Sequence, residues 1–290
     1  MSSPIASGVR KLSVLLEMIK FEHTVFAMPF ALTSAVVAAH GIPKWSVLGW
    51  ILLALVGGRT AAMTFNRIVD VDVDAANPRT ANRALPNRQV SLAAAWLLTV
   101  TGALALVFAA YKLNRLALSL SPVALVAVLG YSYSKRFTSL SHIWLGTALG
   151  IAPVGAWIAV TGTIGFPSMV LSAAVTCWTA GFDIIYSLQD IDYDRRTGLF
   201  SLPSRLGAGR ALWVSRVLHA CSAGCLFWFG YLCGLGSLYY VGVAVAAMAL
   251  AYEQSLVSAD DFSLVNTAFF TVNGVVSVVV LVFACVDVLR

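Results

Sequence analysis

The stretch that decides the fold begins with an apolar run from Ser46 to Phe65, SVLGWILLALVGGRTAAMTF, which continues directly into NRIVDVDVD, from Asn66 to Asp74. An α-helix of this length is about 30 Å long, which is enough to cross the hydrocarbon core of a bilayer. The run contains one charged residue, Arg59, and three carboxylates follow it within the next nine residues. This order predicts a membrane-spanning helix with a polar site at the membrane edge.

The composition of the whole chain indicates the same environment. Of its 290 residues, 59% are hydrophobic and 11% are charged, and the mean hydropathy is +0.85. A soluble domain carries about 25% charged residues, so the sequence predicts an integral membrane protein in contact with membrane lipid. The net charge of +6 does not indicate nucleic acid as a partner, because basic residues in a membrane protein first report its topology.

Nine apolar runs are long enough to span a bilayer, and we therefore predict an all-α protein with nine transmembrane helices in a single domain, residues 1–290. Their approximate ranges are 24–40, 46–66, 91–111, 115–134, 142–160, 168–187, 211–232, 237–256 and 264–287.

The basic residues are distributed unequally between the two sides of the predicted membrane. Fourteen lie in the N-terminal segment and the loops after even-numbered spans, and four lie on the other side. Cytoplasmic loops carry the excess of Lys and Arg. We therefore expect a bacterial inner-membrane protein with its N-terminus and its two long polar loops in the cytoplasm.

The two long polar loops resemble each other, and we infer an internal duplication. The first motif (66–86) has Asn66, Asp70 and Asp74 at intervals of four, and the second motif (183–207) has Tyr186, Asp190 and Asp194 at an offset of 120 residues. Both motifs continue with Arg-Thr and then Leu-Pro. Repeat-built membrane proteins bring equivalent polar sites together around a shared centre.

The spacing of the carboxylates predicts binding of a hard divalent cation. Residues four apart project from one face of a helix, where Asp70 and Asp74, like Asp190 and Asp194, would repel each other without a cation. Mg²⁺ prefers one or two carboxylates together with substrate phosphates. Two such sites would straddle a diphosphate, with counter-charge from basic residues that follow the motifs: Arg79, Arg83, Arg195, Arg196, Lys135 and Arg136.

The middle carboxylate of each motif is predicted to face water. Asp72 points about 200° away from Asp70 on a helix, and Asp192 repeats that position in the second motif.

These motifs together resemble the UbiA superfamily of intramembrane aromatic prenyltransferases. The resemblance covers nearly the whole chain. It rests on both Asp motifs, on Asn77-Pro78-Arg79-Thr80, on Tyr131-Ser132-Tyr133-Ser134-Lys135-Arg136 and on the entry segment 20–23. It implies a central cavity capped by the polar loops and Mg²⁺-dependent transfer of a prenyl group from a polyprenyl diphosphate to an aromatic acceptor.

The resemblance also implies roles for individual residues. Asp70, Asp74, Asp190 and Asp194 would hold the metal ions, with Asn66 supporting the first site, and Lys20, Arg83 and Lys135 would contact the diphosphate. Where many relatives have Arg and then Lys in the entry segment, this chain has Lys20 and His23, which leaves the role of His23 open.

Arg59 is the residue that points to the acceptor. It lies two helical turns before Asn66 on the same helix face, about 10 Å deeper. A buried guanidinium needs an anion, and it pairs bidentately with carboxylates. The anion is either the carboxylate of an aromatic acid, as in family members that act on 4-hydroxybenzoate, or Asp183 at the corresponding depth.

Three tyrosines and the identity of the acceptor admit two interpretations each. Tyr186, Tyr131 and Tyr133 either shield an allylic cation or lie at the membrane interface as aromatic anchors. The stretch 183–190 resembles the 4-hydroxybenzoate polyprenyltransferase-like branch, whose members serve ubiquinone synthesis or, with 1,4-dihydroxy-6-naphthoate as acceptor, menaquinone synthesis.

Two other classes of membrane protein share some of these features. A secondary transporter also suits repeats and intramembrane charge, but it places its polar residues near the midplane. A CDP-alcohol phosphotransferase also needs paired Asp motifs, but its Asp-Gly-x₂-Ala-Arg signature does not follow Asp70 or Asp190.

Overall fold

The computed structural model describes residue 14, residues 17–18 and residues 24–290, and this part of the chain is all-helical. The helices in chain order are α1 (Thr24–Ala39), α2 (Trp45–Val69), α3 (Val71–Ala76), α4 (Leu92–Leu113), α5 (Arg115–Ser134), α6 (Ser141–Thr161), α7 (Phe166–Ser187), α8 (Ile191–Thr197), α9 (Leu202–Leu206), α10 (Ala208–Leu232), α11 (Ser237–Ser255) and α12 (Val265–Leu289). A 3₁₀ turn, Leu188–Asp190, joins α7 to α8.

Seven of the described helices are long and apolar enough to cross a membrane: α2, α4, α5, α6, α7, α10 and α12. Helix α1 is shorter, with 16 residues, and the 19-residue α11 is not among the seven. Large apolar side chains point outward from these helices, with Leu97 65% and Val126 71% exposed. Contiguous exposed apolar surface of this kind belongs in lipid, so the chain is an integral membrane protein.

Local sequence explains several helix ends. The side chain of Ser91 caps α4 by accepting a hydrogen bond from the backbone N–H of Ala94, and Asn114 caps α5 in the same way through Ala117. Helix α6 ends at Gly162, whose φ of 73° lies in the left-handed region that favours glycine. The predicted spans therefore begin and end within a few residues of the observed helices.

Neighbouring helices pack closely where small residues face each other. A Cβ atom on Gly57 of α2 would lie 2.7 Å from the carbonyl oxygen of Gly102 in α4, so only glycine allows this approach. A hydrogen bond of 2.8 Å between the hydroxyls of Thr64 and Thr99 joins the same two helices one to two turns further along.

Consecutive long helices contact each other, and α12 packs back against α1. The largest apolar core cluster lies among α1, α7, α10, α11 and α12, with Trp178, Phe229 and Tyr239 among its fully buried side chains. The polar segments that contain the two Asp motifs follow α2 and α7 and lie over one end of the bundle's cavity.

Candidate functional site

The first motif lies where α2 gives way to α3. The sequence predicted one continuous helix face, but the helix breaks at Asp70, which has φ −97° and ψ 8°. The i to i+4 spacing survives the break because the backbone N–H of Asp74 donates to the carbonyl oxygen of Asp70 at 2.7 Å. Both carboxylates therefore remain on the same side of the chain.

Asp70 is 2% exposed and is surrounded by donors. Its carboxylate accepts hydrogen bonds from Asn66 Nδ2 at 3.1 Å, Lys135 Nζ at 2.6 Å and Arg136 Nη2 at 3.4 Å. The predicted supporting role of Asn66 corresponds to this contact. Lys135 and Arg136, at the end of α5, pair with the carboxylate in this structure.

Asp74 is 4% exposed, and its two oxygens differ. Oδ1 accepts a hydrogen bond from Arg83 Nη1 at 2.7 Å. Oδ2 is buried without a hydrogen-bond partner, with Arg67 Nη1 at the longer distance of 3.7 Å. A buried carboxylate oxygen that lacks a donor has coordination capacity left for a cation.

The second motif repeats the backbone conformation of the first. Asp190 has φ −105° and ψ 4°, and it precedes α8 as Asp70 precedes α3. Its Oδ1 accepts hydrogen bonds from Asn77 Nδ2 at 3.0 Å and Arg79 Nε at 2.9 Å, and Arg79 Nη2 contacts Oδ2. The hydroxyl of Tyr193 donates to the carbonyl oxygen of Val73 at 2.9 Å. The first polar segment is thus bound directly to the second motif.

Arg79 also joins the second motif to Tyr186. Its Nη1 donates to the Tyr186 hydroxyl at 3.1 Å, and its guanidinium carbon lies 5.3 Å from the centre of the same ring. Burial lowers the pKa of Arg79, but the hydrogen bonds and charge of Asp190 outweigh burial and raise that pKa above its usual value. Arg79 is therefore a permanent positive charge between Asp190 and Tyr186.

The remaining acidic residues of the motifs occupy different environments. Asp194 lines the cavity and has no ion pair among residues that the structure describes. Asp72 and Asp192 are exposed, as their spacing predicts. Arg196 is exposed as well, and its Nε donates to the carbonyl oxygen of Asp192 at 3.1 Å, outside the cavity lining. The structure does not bring Arg196 to the other predicted diphosphate ligands.

Asp183 pairs with a histidine, His142, that the sequence did not predict as a site residue. His142 Nδ1 lies 2.7 Å from Asp183 Oδ2, and His142 Nε2 accepts a hydrogen bond from the backbone N–H of Leu202 at 3.3 Å. Because Nε2 is the acceptor, Nδ1 carries the ring hydrogen. Nδ1 therefore donates a hydrogen bond to Asp183. The one available signal was that His142 opens a span six residues after Arg136.

Arg59 has no anionic partner among the described residues. Its Nε is buried without a hydrogen bond, and Asp183, the alternative structural partner, pairs with His142 instead. Arg59 lines the cavity, as do Tyr131 and Asp183.

Most of the predicted site residues surround one cavity of about 290 Å³. Its lining includes five aspartates, Asp70, Asp74, Asp183, Asp190 and Asp194, and five basic residues, Arg59, Arg67, Arg79, Arg83 and Lys135. Tyr131 and Tyr186 also line it, whereas Tyr133 is exposed beside Phe65, which suits an interface aromatic. The predicted contribution of Lys20 lies outside the described residues.

The carboxylates that line the cavity suit a hard divalent cation bound together with a phosphate-bearing ligand. Within the described ranges, no three Asp, Glu, His or Cys side chains form a ready-made metal cluster. Mg²⁺ needs only one or two protein carboxylates when phosphates and waters complete its shell. The Oδ2 of Asp74, which has no hydrogen-bond partner, and the carboxylate of Asp194, which has no ion pair among the described residues, could serve as such ligands, one in each motif.

Solved structures of other proteins have the same helical architecture. A UbiA homologue from Aeropyrum pernix, in its apo form, superposes with a TM-score of 0.84 at 35% identity and covers 92% of this chain and 98% of its own. A UbiA homologue from Archaeoglobus fulgidus bound to GPP and Mg²⁺ shares the fold, with a TM-score of 0.70 at 17% identity and coverage of 95% and 99%.

Sequence comparison agrees with the fold. A 4-hydroxybenzoate octaprenyltransferase of Vibrio parahaemolyticus is 32% identical over 242 residues, which are 83% of this chain and 84% of that protein. A 4-hydroxybenzoate solanesyltransferase of Synechocystis is 30% identical over 231 residues, 79% and 78% of the two chains. The pattern of the UbiA prenyltransferase family matches residues 27–275. The chain therefore belongs to the UbiA prenyltransferase family, in its 4-hydroxybenzoate polyprenyltransferase-like branch, and is a prenyltransferase.

Proposed function

We propose that this enzyme transfers a polyprenyl group from a polyprenyl diphosphate to the ring of a 4-hydroxybenzoate-like acid, with Mg²⁺, in quinone biosynthesis. The observation that carries the choice of acceptor is Arg59, a cavity-lining guanidinium whose buried Nε has no partner and whose alternative partner Asp183 is bound to His142. An aromatic acid supplies the missing carboxylate. The names of the Vibrio parahaemolyticus and Synechocystis relatives support the same class of acceptor.

The donor diphosphate is proposed to bind among the two Asp motifs. Asp70 and Asp74 would hold Mg²⁺ on one side, and Asp190 and Asp194 on the other. Bound there, the metal supplies positive charge that stabilises the departing diphosphate. A homologue of the same fold, from Archaeoglobus fulgidus, is bound to GPP and Mg²⁺, which supports a prenyl diphosphate and a divalent cation as ligands.

The basic residues around the carboxylates have a second role in this proposal. Arg79, Arg83, Lys135 and Arg136 contact Asp190, Asp74 and Asp70 in this structure. With a cation on the carboxylates, these bases would be free to pair with phosphate oxygens close by. Every charge then remains paired in a site of low dielectric constant, which lowers the cost of binding both ligands together. Lys20 remains a predicted further contact.

The acceptor is proposed to lie deeper, between Arg59, Tyr131 and Asp183. The planar guanidinium of Arg59 grips the carboxylate and so fixes the ring. His142 holds one oxygen of Asp183, which leaves the other free to accept a hydrogen bond from a ring hydroxyl. Breaking the allylic C–O bond and forming the ring C–C bond releases one ring proton and the diphosphate. Tyr186 faces the allylic carbon as a π-donor beside Arg79.

The same proposal includes the topology read from the sequence. Nine spans, counting α1 and α11, would place both Asp motifs and the N-terminus at the cytoplasmic side of the bacterial inner membrane, where soluble aromatic acids and diphosphates are accessible. The matching conformations of Asp70 and Asp190 support the internal duplication locally.

The test of the acceptor site is Arg59→Ala. Removing one partner of a buried charge-assisted pair should lower kcat/KM for the aromatic acid at least about 100-fold, with the KM for prenyl diphosphate nearly unchanged. Arg59→Lys should restore activity only partly, because a point charge does not reproduce the bidentate fork.

The control is an acceptor of the same shape with hydrogen in place of the carboxylate. It should be poor with the wild-type enzyme and should lose little more with Arg59→Ala. Equal losses for both acceptors would indicate that Arg59 supports the fold and does not bind the acceptor. The same assay with 1,4-dihydroxy-6-naphthoate distinguishes the menaquinone alternative, and we expect 4-hydroxybenzoate to be the better substrate.

A further inference from the structure

A buried polar cluster lies behind the cavity, outside the groups that the proposed reaction uses. It joins Trp178 of α7, Glu253 of α11 and Asn273 of α12, which are 1%, 0% and 0% exposed. Trp178 Nε1 donates to Asn273 Oδ1 at 2.6 Å, and Asn273 Nδ2 donates to Glu253 Oε1 at 2.9 Å. A carboxyl and an amide buried among apolar helices are costly to keep, so such a cluster calls for a functional explanation.

The cluster holds an irregular turn of α12. The five residues Ala268–Val272 form a π-helical turn in an otherwise α-helical segment. Asn273 Nδ2 also donates to the carbonyl oxygens of Ala268, at 3.3 Å, and Phe269, at 3.1 Å. Single π-turns inside helices displace carbonyl groups from their usual partners and occur frequently at functional sites. Here one side-chain amide fixes the displaced turn.

The irregular turn presents Phe269 to the cavity. The Phe269 ring centre lies 4.3 Å from that of Tyr186 and 5.2 Å from that of Phe182, and all three side chains line the cavity. Tyr186 in turn accepts a hydrogen bond from Arg79, which binds Asp190. A continuous series of contacts therefore runs from Asn273 through Phe269 and Tyr186 to the second Asp motif.

We propose that Asn273, supported by Glu253, is a positioning residue for the prenyl donor: it holds Phe269 against Tyr186, so that the aromatic wall fits the isoprene units next to the diphosphate. This inference rests on the proposed function, because that function places the diphosphate at the Asp motifs. Aromatic faces suit a branched unsaturated chain, and an α-helical turn in place of the π-turn would shift the Phe269 ring along the wall.

The experiment measures binding of geranyl diphosphate with Mg²⁺ by isothermal titration, with detergent-solubilised full-length enzyme. Asn273→Leu removes the bonds to the π-turn, and the donor Kd should rise about tenfold, the loss of one well-aligned aromatic contact. The KM for the aromatic acid should stay within about twofold, since no other contact of the acceptor changes. Phe269→Leu should weaken the donor similarly, and Asn273→Leu should add little in that background.

A matched pair at Glu253 makes the test independent of the folding of any one variant. Glu253→Gln keeps an oxygen that accepts the bond from Asn273 and should bind donor within about twofold of wild type, whereas Glu253→Leu should resemble Asn273→Leu. The control is Ser222→Ala, which removes another buried hydrogen bond of 2.9 Å, to the carbonyl oxygen of Ala174, away from the π-turn. It should leave the donor Kd unchanged.

Three results would overturn the inference: unchanged donor affinity in Asn273→Leu, equal weakening by Glu253→Gln and Glu253→Leu, or parallel losses for donor and acceptor that Ser222→Ala reproduces. A wild-type enzyme that neither binds geranyl diphosphate nor prenylates an aromatic acid would instead overturn the proposed function. A normal wild type with unaffected variants counts against the positioning role alone.

Discussion

The two Asp motifs have nearly the same backbone conformation but differ in the source of their counter-charges. In the first motif, Asp70 and Asp74 are deeply buried, and each lies near two basic side chains. In the second, Asp190 receives both of its side-chain donors, Asn77 and Arg79, from the polar segment that follows the first motif.

This difference indicates that equivalent positions of the two motifs are not interchangeable. In the first motif each of the two carboxylates lies near two bases, so the loss of one base leaves another in place. The second motif depends on a single arginine, and Asp194 has no ion pair in the part of the chain that the structure describes. We expect the second motif to be more sensitive to single changes around it, although the proposed mechanism uses both motifs.

The largest effect is expected from the carboxylates themselves. Asp70→Asn and Asp190→Asn keep the shape of the side chain but remove the charge that is proposed to hold Mg²⁺. Because loss of an outer-shell partner already costs 10- to 100-fold in metal sites, each change should lower kcat by more than about 100-fold. The measurement is prenyl transfer at saturating substrates, with circular dichroism as the check on folding.

Metal removal provides the matching control. EDTA should abolish activity of the wild type, and added Mg²⁺ should restore it. Full turnover in EDTA, with no residual metal in the sample, would exclude a metal-dependent mechanism that uses the two motifs. A deep loss in only one of the two variants would show that a single motif is sufficient.

The next effect separates the motifs through their bases. Arg79→Ala leaves Asp190 without its base and Tyr186 without its hydrogen bond, so the KM for prenyl diphosphate should rise about 10- to 100-fold, as expected for a lost charge-assisted pair. Arg83→Ala leaves Arg67 near Asp74, and the rise should be several-fold smaller. Donor-dependent steady-state kinetics of the two variants side by side would reveal this difference. Equal rises in KM would mean that the two motifs depend equally on a single basic residue.

A smaller effect tests the contact between the first polar segment and the second Asp motif. Asn77→Ala removes a hydrogen bond of 3.0 Å to Asp190 and another of 3.0 Å from the backbone N–H of Arg79 to Asn77 Oδ1, but it leaves the bond from Arg79 Nε to Asp190. The bond to Asp190 is the one that reaches the second motif, and its loss, worth about 1 kcal/mol, should lower kcat/KM roughly fivefold. Asn87→Ala is the matched control, because Asn87 is exposed and lies in the same segment. A loss as large in the control would point to a general effect on the segment.

The sequence predicted the elements that depend on local pattern. The long apolar runs became helices with nearly the predicted ends, and the interval of four residues placed Asp70 with Asp74 and Asp190 with Asp194 in one cavity. Period and spacing are properties of the chain itself, so no tertiary information is needed to read them.

The contacts that distinguish the motifs depend on tertiary packing and were not predicted. Asn77 and Arg79 meet Asp190 across more than a hundred residues, and His142 meets Asp183 across 41 residues. The break at Asp70 was missed too, because the apolar and acidic pattern continues through it without Gly or Pro. The membrane-spanning status of α1 and α11, and hence the count of nine, remains a prediction.

The smallest effect is expected at the middle carboxylates, and it tests the assignment of helix faces. Asp72 and Asp192 are exposed, and neither lines the cavity. Asp72→Asn and Asp192→Asn should therefore leave kcat/KM within about threefold of wild type, because solvated charges at this distance are screened by water and salt. Each variant also has a matched partner two residues away, Asp70→Asn or Asp190→Asn, that changes the same chemical group on the opposite face. A loss at Asp72 as deep as that at Asp70 would mean that the metal-binding face of α3 was assigned incorrectly. If only Asp192 proved sensitive, the second motif would have a ligand set of its own, and the difference between the two motifs would extend from their counter-charges to the metal ligands themselves.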